Sequence, residues 1–151
     1  MPFTKSQVNL FIFVKLPSAF ICGVRAKYID ALKCEATVKY RYMNQNPFNS
    51  LYFAVQAMAA ELTTGALVLS QIKDSKKNIS MLVANSKSNF SKKAVGRITF
   101  TCNDGLLIEN AVKAAVATNE GQTIWMKSIG INENGEQVSE FDFEWSIRVK
   151  D

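Results

Sequence analysis

The longest apolar stretch of the chain runs from Leu51 to Leu69 and contains one charged residue, Glu61. Its apolar positions are not confined to one stripe, so the pattern predicts a helix that other elements enclose. The turn-forming residues at 44–50 precede it. Asn49 or Ser50 is expected to cap this helix, because their side chains accept bonds from free N–H groups at a helix start.

Two further elements are predicted before this helix. Thr4 and Gln7 have the spacing of a capping box, which predicts a first helix that ends at Leu16-Pro17. From residue 24 to residue 42 the chain is predicted to be extended, and between residues 33 and 42 apolar and polar positions alternate, which predicts one half-buried strand. Its predicted inner face carries Cys34, Ala36, Val38, Tyr40 and Tyr42.

After the central helix the pattern predicts strands at 79–84 and 97–102, separated by a polar stretch at 86–93. A second helix is expected to start at Asp104 or Gly105 and to end at 119–121. The last third is predicted to form a hairpin, with arms at 121–131 and 137–150 on either side of Asn134-Gly135, since Asn-Gly is a strong short-range hairpin signal.

This order of elements predicts an α+β fold in which an antiparallel sheet carries its helices on one side. The length of 151 residues and an apolar content of 48% suit one domain, 1–151, with an N-terminal helix at 1–17 and a core at 18–151. No apolar run is judged long enough to cross a membrane, and a cytoplasmic location is expected.

Composition limits the chemistry. The chain has no histidine, which excludes Ser-His and Cys-His nucleophile pairs and histidine metal sites. Its three cysteines are too few and too scattered for a disulfide framework or a metal motif, so no metal site is expected. The net charge of +5 comes with 13 acidic residues, and alone it gives little support to a nucleic-acid partner.

Glu61 is the main candidate for catalysis. A carboxylate inside an apolar helix is costly unless it is paired or functional, and burial should raise its pKa, as a general base requires. The alternative is structural: Glu61 reaches the exposed side of the helix, or pairs with a Lys or Arg of the sheet or of a second subunit.

The segment from Asn46 to Glu61 resembles the hotdog thioesterases related to phenylacetyl-CoA and 4-hydroxybenzoyl-CoA thioesterases. Their pattern begins with an Asn and has a Gly three residues after it. His-Gly-Gly begins six residues after the Asn, and an Asp or Glu follows fifteen residues after it. Asn46, Asn49, the tripeptide 52–54 and Glu61 fall on those positions. Tyr52, Phe53 and Ala54 replace His-Gly-Gly, and Tyr at the His position is common in an uncharacterised bacterial branch of that superfamily.

The resemblance implies an antiparallel sheet wrapped around a long central helix, and hydrolysis of an acyl-CoA or acyl-carrier-protein thioester. Glu61 would activate water or attack directly, and Asn46 would orient the water or the carbonyl. Asn49 and the amides of Tyr52 and Phe53 would bind the substrate and the oxyanion. Asn46 is equally explained as a turn residue, and Tyr52 as a core aromatic.

The resemblance also implies a homodimer, or a dimer of dimers, with sites at the subunit interface and no cofactor apart from CoA as part of the substrate. A rival hypothesis is a non-catalytic hotdog module that binds acyl-CoA, a fatty acid or another apolar ligand, because His and both Gly residues are missing. A structural subunit or a nucleic-acid binder has only the positive charge in its favour.

Overall fold

The computed structural model describes residues 2–151 and contains one antiparallel sheet of six strands. In chain order the strands are β1 (Arg25–Ile29), β2 (Cys34–Lys39), β3 (Ile79–Phe90), β4 (Arg97–Cys102), β5 (Gln122–Ile131) and β6 (Gln137–Val149). Their spatial order is β1-β2-β4-β5-β6-β3, so β1 and β3 are the two edges of the sheet. The predicted α+β class and antiparallel sheet are confirmed.

Four α-helices accompany the sheet: α1 (Lys5–Lys15), α2 (Pro17–Ile21), α3 (Phe53–Ser75) and α4 (Gly105–Thr118). The predicted central helix is α3, which packs on β2, β4, β5 and β6 and buries 12 of its 23 residues. It starts two residues later and ends six residues later than the apolar pattern indicated. Extension to Ser75 brings charged residues into its last turn, where the helix leaves the core.

The prediction of a single strand over 24–42 is wrong, because the chain reverses at Asp30. The Asp30 carboxylate accepts hydrogen bonds from the backbone N–H groups of Leu32 (2.8 Å) and Lys33 (2.7 Å), which closes a turn between β1 and β2. Cys34, Ala36 and Val38 are buried as predicted. Tyr42 instead begins a short 3₁₀ helix (Tyr42–Asn44) and is 81% exposed.

The polar stretch predicted to separate two strands is itself mostly strand. β3 continues to Phe90 and pairs with β6 along its length. Beyond Asn85 the side chains of β3 are solvent-exposed. Period-two apolar alternation requires one buried face, so an edge strand exposed on both faces carries no such pattern.

The N-terminal helix is confirmed, with the capping box between Thr4 and Gln7. Val8 and Ile12 of α1 are buried in the core. Asn9 of the same helix donates to the Ala26 carbonyl (3.2 Å) and accepts from the Ala26 N–H (2.8 Å). These bonds occupy backbone groups of the edge strand β1, which would otherwise be open to another chain.

The second half of the chain follows the sequence pattern closely. α4 begins after Asp104, and β5 and β6 form the predicted hairpin around Gly135. By length and composition α3 is apolar enough to span a membrane, so the expectation that no such run exists is wrong. In this fold 67% of its most apolar window is buried, as in the core helix of a globular domain.

Candidate functional site

The loop before α3 is held by Asn44, a residue that the sequence pattern did not single out. Its buried side chain donates to the carbonyls of Cys22 and Lys39, both at 2.9 Å, and accepts from the Arg41 N–H at 2.8 Å. Its backbone carbonyl accepts from the Tyr52 N–H at 2.9 Å. The Tyr52 amide is therefore occupied, and the expectation that it is free at the helix start is wrong.

The helix start nevertheless offers two amides. Tyr52 is the N-cap residue, and no side chain caps the helix, so the expected capping by Asn49 or Ser50 is wrong. The Tyr52 carbonyl accepts from the N–H groups of Val55 (3.0 Å) and Gln56 (3.1 Å). Within residues 2–151 no acceptor binds the N–H groups of Phe53 and Ala54. These two donors lie at the positive end of the α3 dipole.

The two asparagines of the loop have local partners. The Asn46 side chain donates to the Ser50 hydroxyl (2.8 Å) and accepts from the N–H groups of Phe48 (2.9 Å) and Ser50 (3.2 Å). Asn49 has a φ of 57°, in the left-handed region where Asn is tolerated better than most residues. Both residues shape the turn that leads into α3, as the structural alternative for Asn46 supposed.

A cavity of about 470 Å³, the helix-start cavity, opens beside this turn. Four of its lining aromatic side chains are 45–67% exposed, namely Phe48, Tyr52, Phe53 and Phe90. Lys92 and Lys93 also line it. The structure thus brings the candidates Asn46, Tyr52 and Phe53 together, while Asn49 does not line the cavity.

Glu61 lines a different cavity, of about 330 Å³, between α1 and α3; we call it the Glu61 cavity. One oxygen of its carboxylate lies directly over Gly65, one helical turn later. No Lys or Arg within residues 2–151 forms an ion pair with Glu61, and no hydrogen bond to its carboxylate is present in that part of the chain. Glu61 is half-buried, and its carboxylate is not fully enclosed. Burial raises the pKa of this carboxyl group.

A smaller cavity of about 270 Å³ adjoins it, bounded by residues 15–19 and Met58. Glu61 and Leu16 line both cavities. The Glu61 carboxylate therefore lies at the junction of the apolar Glu61 cavity and the smaller cavity, whose lining includes the polar residues Lys15 and Ser18.

Trp145 and Thr64 hold the turn of α3 that carries Glu61, and the sequence pattern showed Trp145 only as one of the core positions of β6. The indole N–H of Trp145 donates to the Thr64 hydroxyl at 2.9 Å, and that hydroxyl donates to the Glu61 backbone carbonyl at 2.9 Å. The Trp145 ring also lies beside Gly65. The wall of the Glu61 cavity is thus fixed by a contact between α3 and β6.

The carboxylate and the free amides are well separated within one chain. Phe53 and Glu61 are eight residues apart on α3, which corresponds to about 12 Å along the axis at 1.5 Å per residue. They also line different cavities. One carbonyl group cannot contact both in a single subunit.

Two buried cysteines and the possible metal ligands were the other candidates for a reactive centre. Cys34 and Cys102 are fully buried, and burial raises the pKa of each thiol to about 12, so neither forms a thiolate near neutral pH. Between residues 2 and 151 no group of three or more Cys, Asp or Glu side chains is placed to hold a metal ion.

Comparison with solved structures identifies the architecture. A probable thioesterase of unknown function from Pseudomonas aeruginosa superimposes with a TM-score of 0.86 at 20% identity, over 99% of both chains. A protein of unknown function from Chlorobaculum tepidum superimposes with a TM-score of 0.82 at 15% identity, over 97% of this chain and 98% of the other. A thioesterase from Haemophilus influenzae superimposes with a TM-score of 0.74 at 14% identity, over 99% of this chain and 93% of the other.

The chain has the hotdog fold. At these identities the likeness concerns the fold alone. No protein-family model matches the chain, and no curated protein matches it in sequence. α3 corresponds to the central helix of the hotdog fold, and the six-stranded sheet corresponds to the layer that packs around that helix.

Proposed function

We propose that this protein hydrolyses an acyl thioester whose thiol is CoA or an acyl-carrier protein. The observation that carries the proposal is the Glu61 carboxylate, which has no partner within residues 2–151 and stands at the junction of two cavities. Three of the solved structures with this fold are described as thioesterases or probable thioesterases, which supports the same reaction class. The hydrolysis requires no cofactor beyond the substrate.

Glu61 would act as the general base. It takes a proton from a water molecule while the water oxygen forms a bond to the acyl carbon, and the C–S bond then breaks as the thiol sulfur accepts that proton. A raised pKa suits this role, because a base is most effective when its pKa approaches the working pH. In the second form of the mechanism the carboxylate oxygen attacks the acyl carbon directly, and the C–S bond breaks as the thiolate leaves. Water then adds to the anhydride, its oxygen staying with the acyl group as the acid while Glu61 regains its carboxylate, and the thiolate takes up the released proton.

The Phe53 and Ala54 amides would stabilise the oxyanion. Two N–H donors at a helix N-terminus suit an oxygen that gains negative charge. Because they lie about 12 Å along the helix from Glu61, we propose a homodimer in which Glu61 of one copy meets the amides of the other. The edge strand β3 supports such a dimer, since β6 occupies only one of its sides and its exposed residues include Leu82, 66% accessible.

The direct test is thiol release from acyl-CoAs of different chain lengths. Wild-type protein should release CoA, and Glu61→Gln should lose roughly 100-fold or more of that rate, since general-base catalysis contributes that much. Glu120→Gln, a change at an exposed carboxylate after α4, is the matched control and should retain full activity.

Three results would separate the hypotheses. Equal turnover by wild type and Glu61→Gln would exclude Glu61 as the base. Thermal stabilisation by acyl-CoA without any release of thiol would favour the non-catalytic binding module. Neither turnover nor stabilisation with any acyl-CoA would count against both.

A further inference from the structure

The Glu61 cavity is apolar over most of its lining. Two polar side chains, Gln7 and Glu61, are among its lining residues. The Gln7 carbonyl oxygen already accepts the Thr4 N–H at 2.9 Å. Most of the surface comes from hydrocarbon side chains, which are Phe3, Val8, Phe11, Leu16, Leu62, Ala66, Leu69 and Met81. A ligand that fills this space must therefore be apolar along most of its length, and Glu61 is the ionisable group among the lining residues.

The cavity is elongated, because α3 lines it over about two turns and α1 over about one, with Phe3 and Leu16 beyond the two ends of α1. On α1 the lining residues begin at Gln7 and extend to Phe11, with Phe3 just before the helix; on α3 they run from Glu61 to Leu69. Eight residues of helix span about 12 Å, so a volume of about 330 Å³ gives a mean cross-section of roughly 28 Å². That cross-section suits a single hydrocarbon chain.

The two ends of the cavity are chemically different. Leu16 and Glu61 mark the end that adjoins the smaller cavity. Phe3 marks the far end, because its N–H donates to the Ser70 hydroxyl at 3.1 Å and the Lys73 ammonium lies 4.6 Å from its ring centre. α1 therefore runs antiparallel to α3, and Phe3 and Leu69 lie at the end remote from the carboxylate.

We infer that the Glu61 cavity binds the aliphatic chain of an acyl group, with the carbonyl end at Glu61 and the methyl end against Phe3. The position of the carbonyl rests on the proposed thioesterase function, whereas the binding of the chain does not. The cavity has roughly twice the volume of a 150 Å³ protein cavity that holds benzene, so it accommodates roughly twelve carbon atoms. Phe3 is then the residue that limits chain length.

The test uses straight-chain primary alcohols as neutral probes without a thioester. In calorimetric titrations of the wild type the affinity should rise about fourfold per methylene, up to roughly twelve carbons, and no further. Ala66→Met, which fills the middle of the cavity, should stop the increase at a shorter chain. Phe3→Leu should extend it. Leu10→Ala changes a residue of α1 that is 63% exposed and does not line the cavity, so it should reproduce the wild-type series.

Methyl NMR of wild-type protein gives a readout that needs no variant. Met81 lines the Glu61 cavity, whereas Met126 is fully buried elsewhere in the core. Decanol should shift the Met81 methyl signal and leave the Met126 signal in place. An unchanged Met81 signal at saturation, or a chain-length limit that Ala66→Met and Phe3→Leu leave unchanged, would overturn the assignment of this cavity.

These results are separable from the proposed function. Alcohol binding that follows cavity size, in a protein without thioester turnover, would support the chain site and reject the hydrolase. If the protein hydrolyses thioesters, but decanol leaves the Met81 methyl signal unchanged and the two variants leave the chain-length limit unchanged, the chain site is rejected. The proposed hydrolase function would then still stand.

Discussion

An oxygen of the Glu61 carboxylate lies 3.0 Å from the point that a Cβ atom on Gly65 would occupy. Residues four apart on a helix lie one above the other, so any side chain at position 65 would meet this carboxylate. The Trp145 ring confines the same point from the other side, at 3.3 Å. Gly65 thereby gives the carboxylate a defined place at the cavity wall.

Gly65→Ala tests this placement. Alanine in a helix interior gains up to about 1 kcal/mol over glycine, and the crowded carboxylate is the end of a flexible side chain, so the stability should stay within about 1 kcal/mol of wild type. The rate of thioester hydrolysis should fall by roughly tenfold or more, because small misplacements of a catalytic group are costly. Urea unfolding and thiol release measure the two effects.

The double variant is the control for Gly65→Ala. In a Glu61→Gln background the added methyl group should cause no further loss of activity, since both changes act on the same group. Additive losses would show that Gly65→Ala acts elsewhere in the site.

The raised pKa of Glu61 predicts two pH dependences. Between the ordinary value of 4.5 and the raised value, the unfolded chain has lost a proton that the folded chain retains. The free energy of unfolding should therefore fall as pH rises through this window, and Glu61→Gln should lack that part of the fall. The hydrolysis rate should rise with pH over the same window, because the base works only when ionised.

Urea unfolding and thiol release between pH 4 and pH 8 would check both dependences. An acidic limb of the rate profile centred at or below pH 4.5 would contradict the assignment of Glu61 as a buried base.

Much of this fold was predictable because the pattern of the chain is local. The apolar period of 3.6 residues identifies α4, and the period of 2 identifies β6. Asn134-Gly135 then identifies β5 as the hairpin partner of β6. The turn at Asp30 was missed because apolar residues recur at even-numbered positions both before it and after it, so the apolar face of a single strand continues across the turn. The polar half of β3 was missed because an edge exposed on both faces has no alternation to read.

The site was less predictable because its parts meet across the fold. Glu61 could be found as the one charged residue in the apolar stretch from Leu51 to Leu69. The alternative that it pairs with a Lys or Arg of the same chain is not seen within residues 2–151. Trp145 could not be connected with it, since 81 residues separate Trp145 from Thr64. Nor could sequence alone reveal that the Asn44 carbonyl occupies the Tyr52 N–H, leaving Phe53 and Ala54 as the donors.

Asn44→Ala should destabilise the protein by about 3 kcal/mol, because it removes three part-buried hydrogen bonds to the backbone groups of Cys22, Lys39 and Arg41, each of which contributes about 1 kcal/mol. Urea unfolding at neutral pH measures the loss. The control is Asn89→Ala, at an exposed position of β3, which should change stability by no more than about 0.5 kcal/mol. Equal effects of the two substitutions would show that Asn44 does not hold the loop before α3.

A homodimeric site predicts complementation between two inactive variants. Phe53 is the first residue of α3, where proline is tolerated, so Phe53→Pro removes the N–H donor without breaking the helix. Phe53→Pro and Glu61→Gln should each lose thioester hydrolysis. Phe53→Ala, which keeps the amide, controls for loss of the ring and should retain more activity than Phe53→Pro.

When the two inactive variants are unfolded together and refolded as a mixture, each mixed dimer should contain one site with an intact amide from one chain and an intact Glu61 from the other. An equal mixture should then recover roughly a quarter of the wild-type rate per chain, since half of the dimers are mixed and each has one working site. If both groups served the same reaction from a single chain, the mixture would stay as inactive as its components. That result would leave Glu61 and the Phe53 amide without a common substrate, because about 12 Å of helix separates them within one chain.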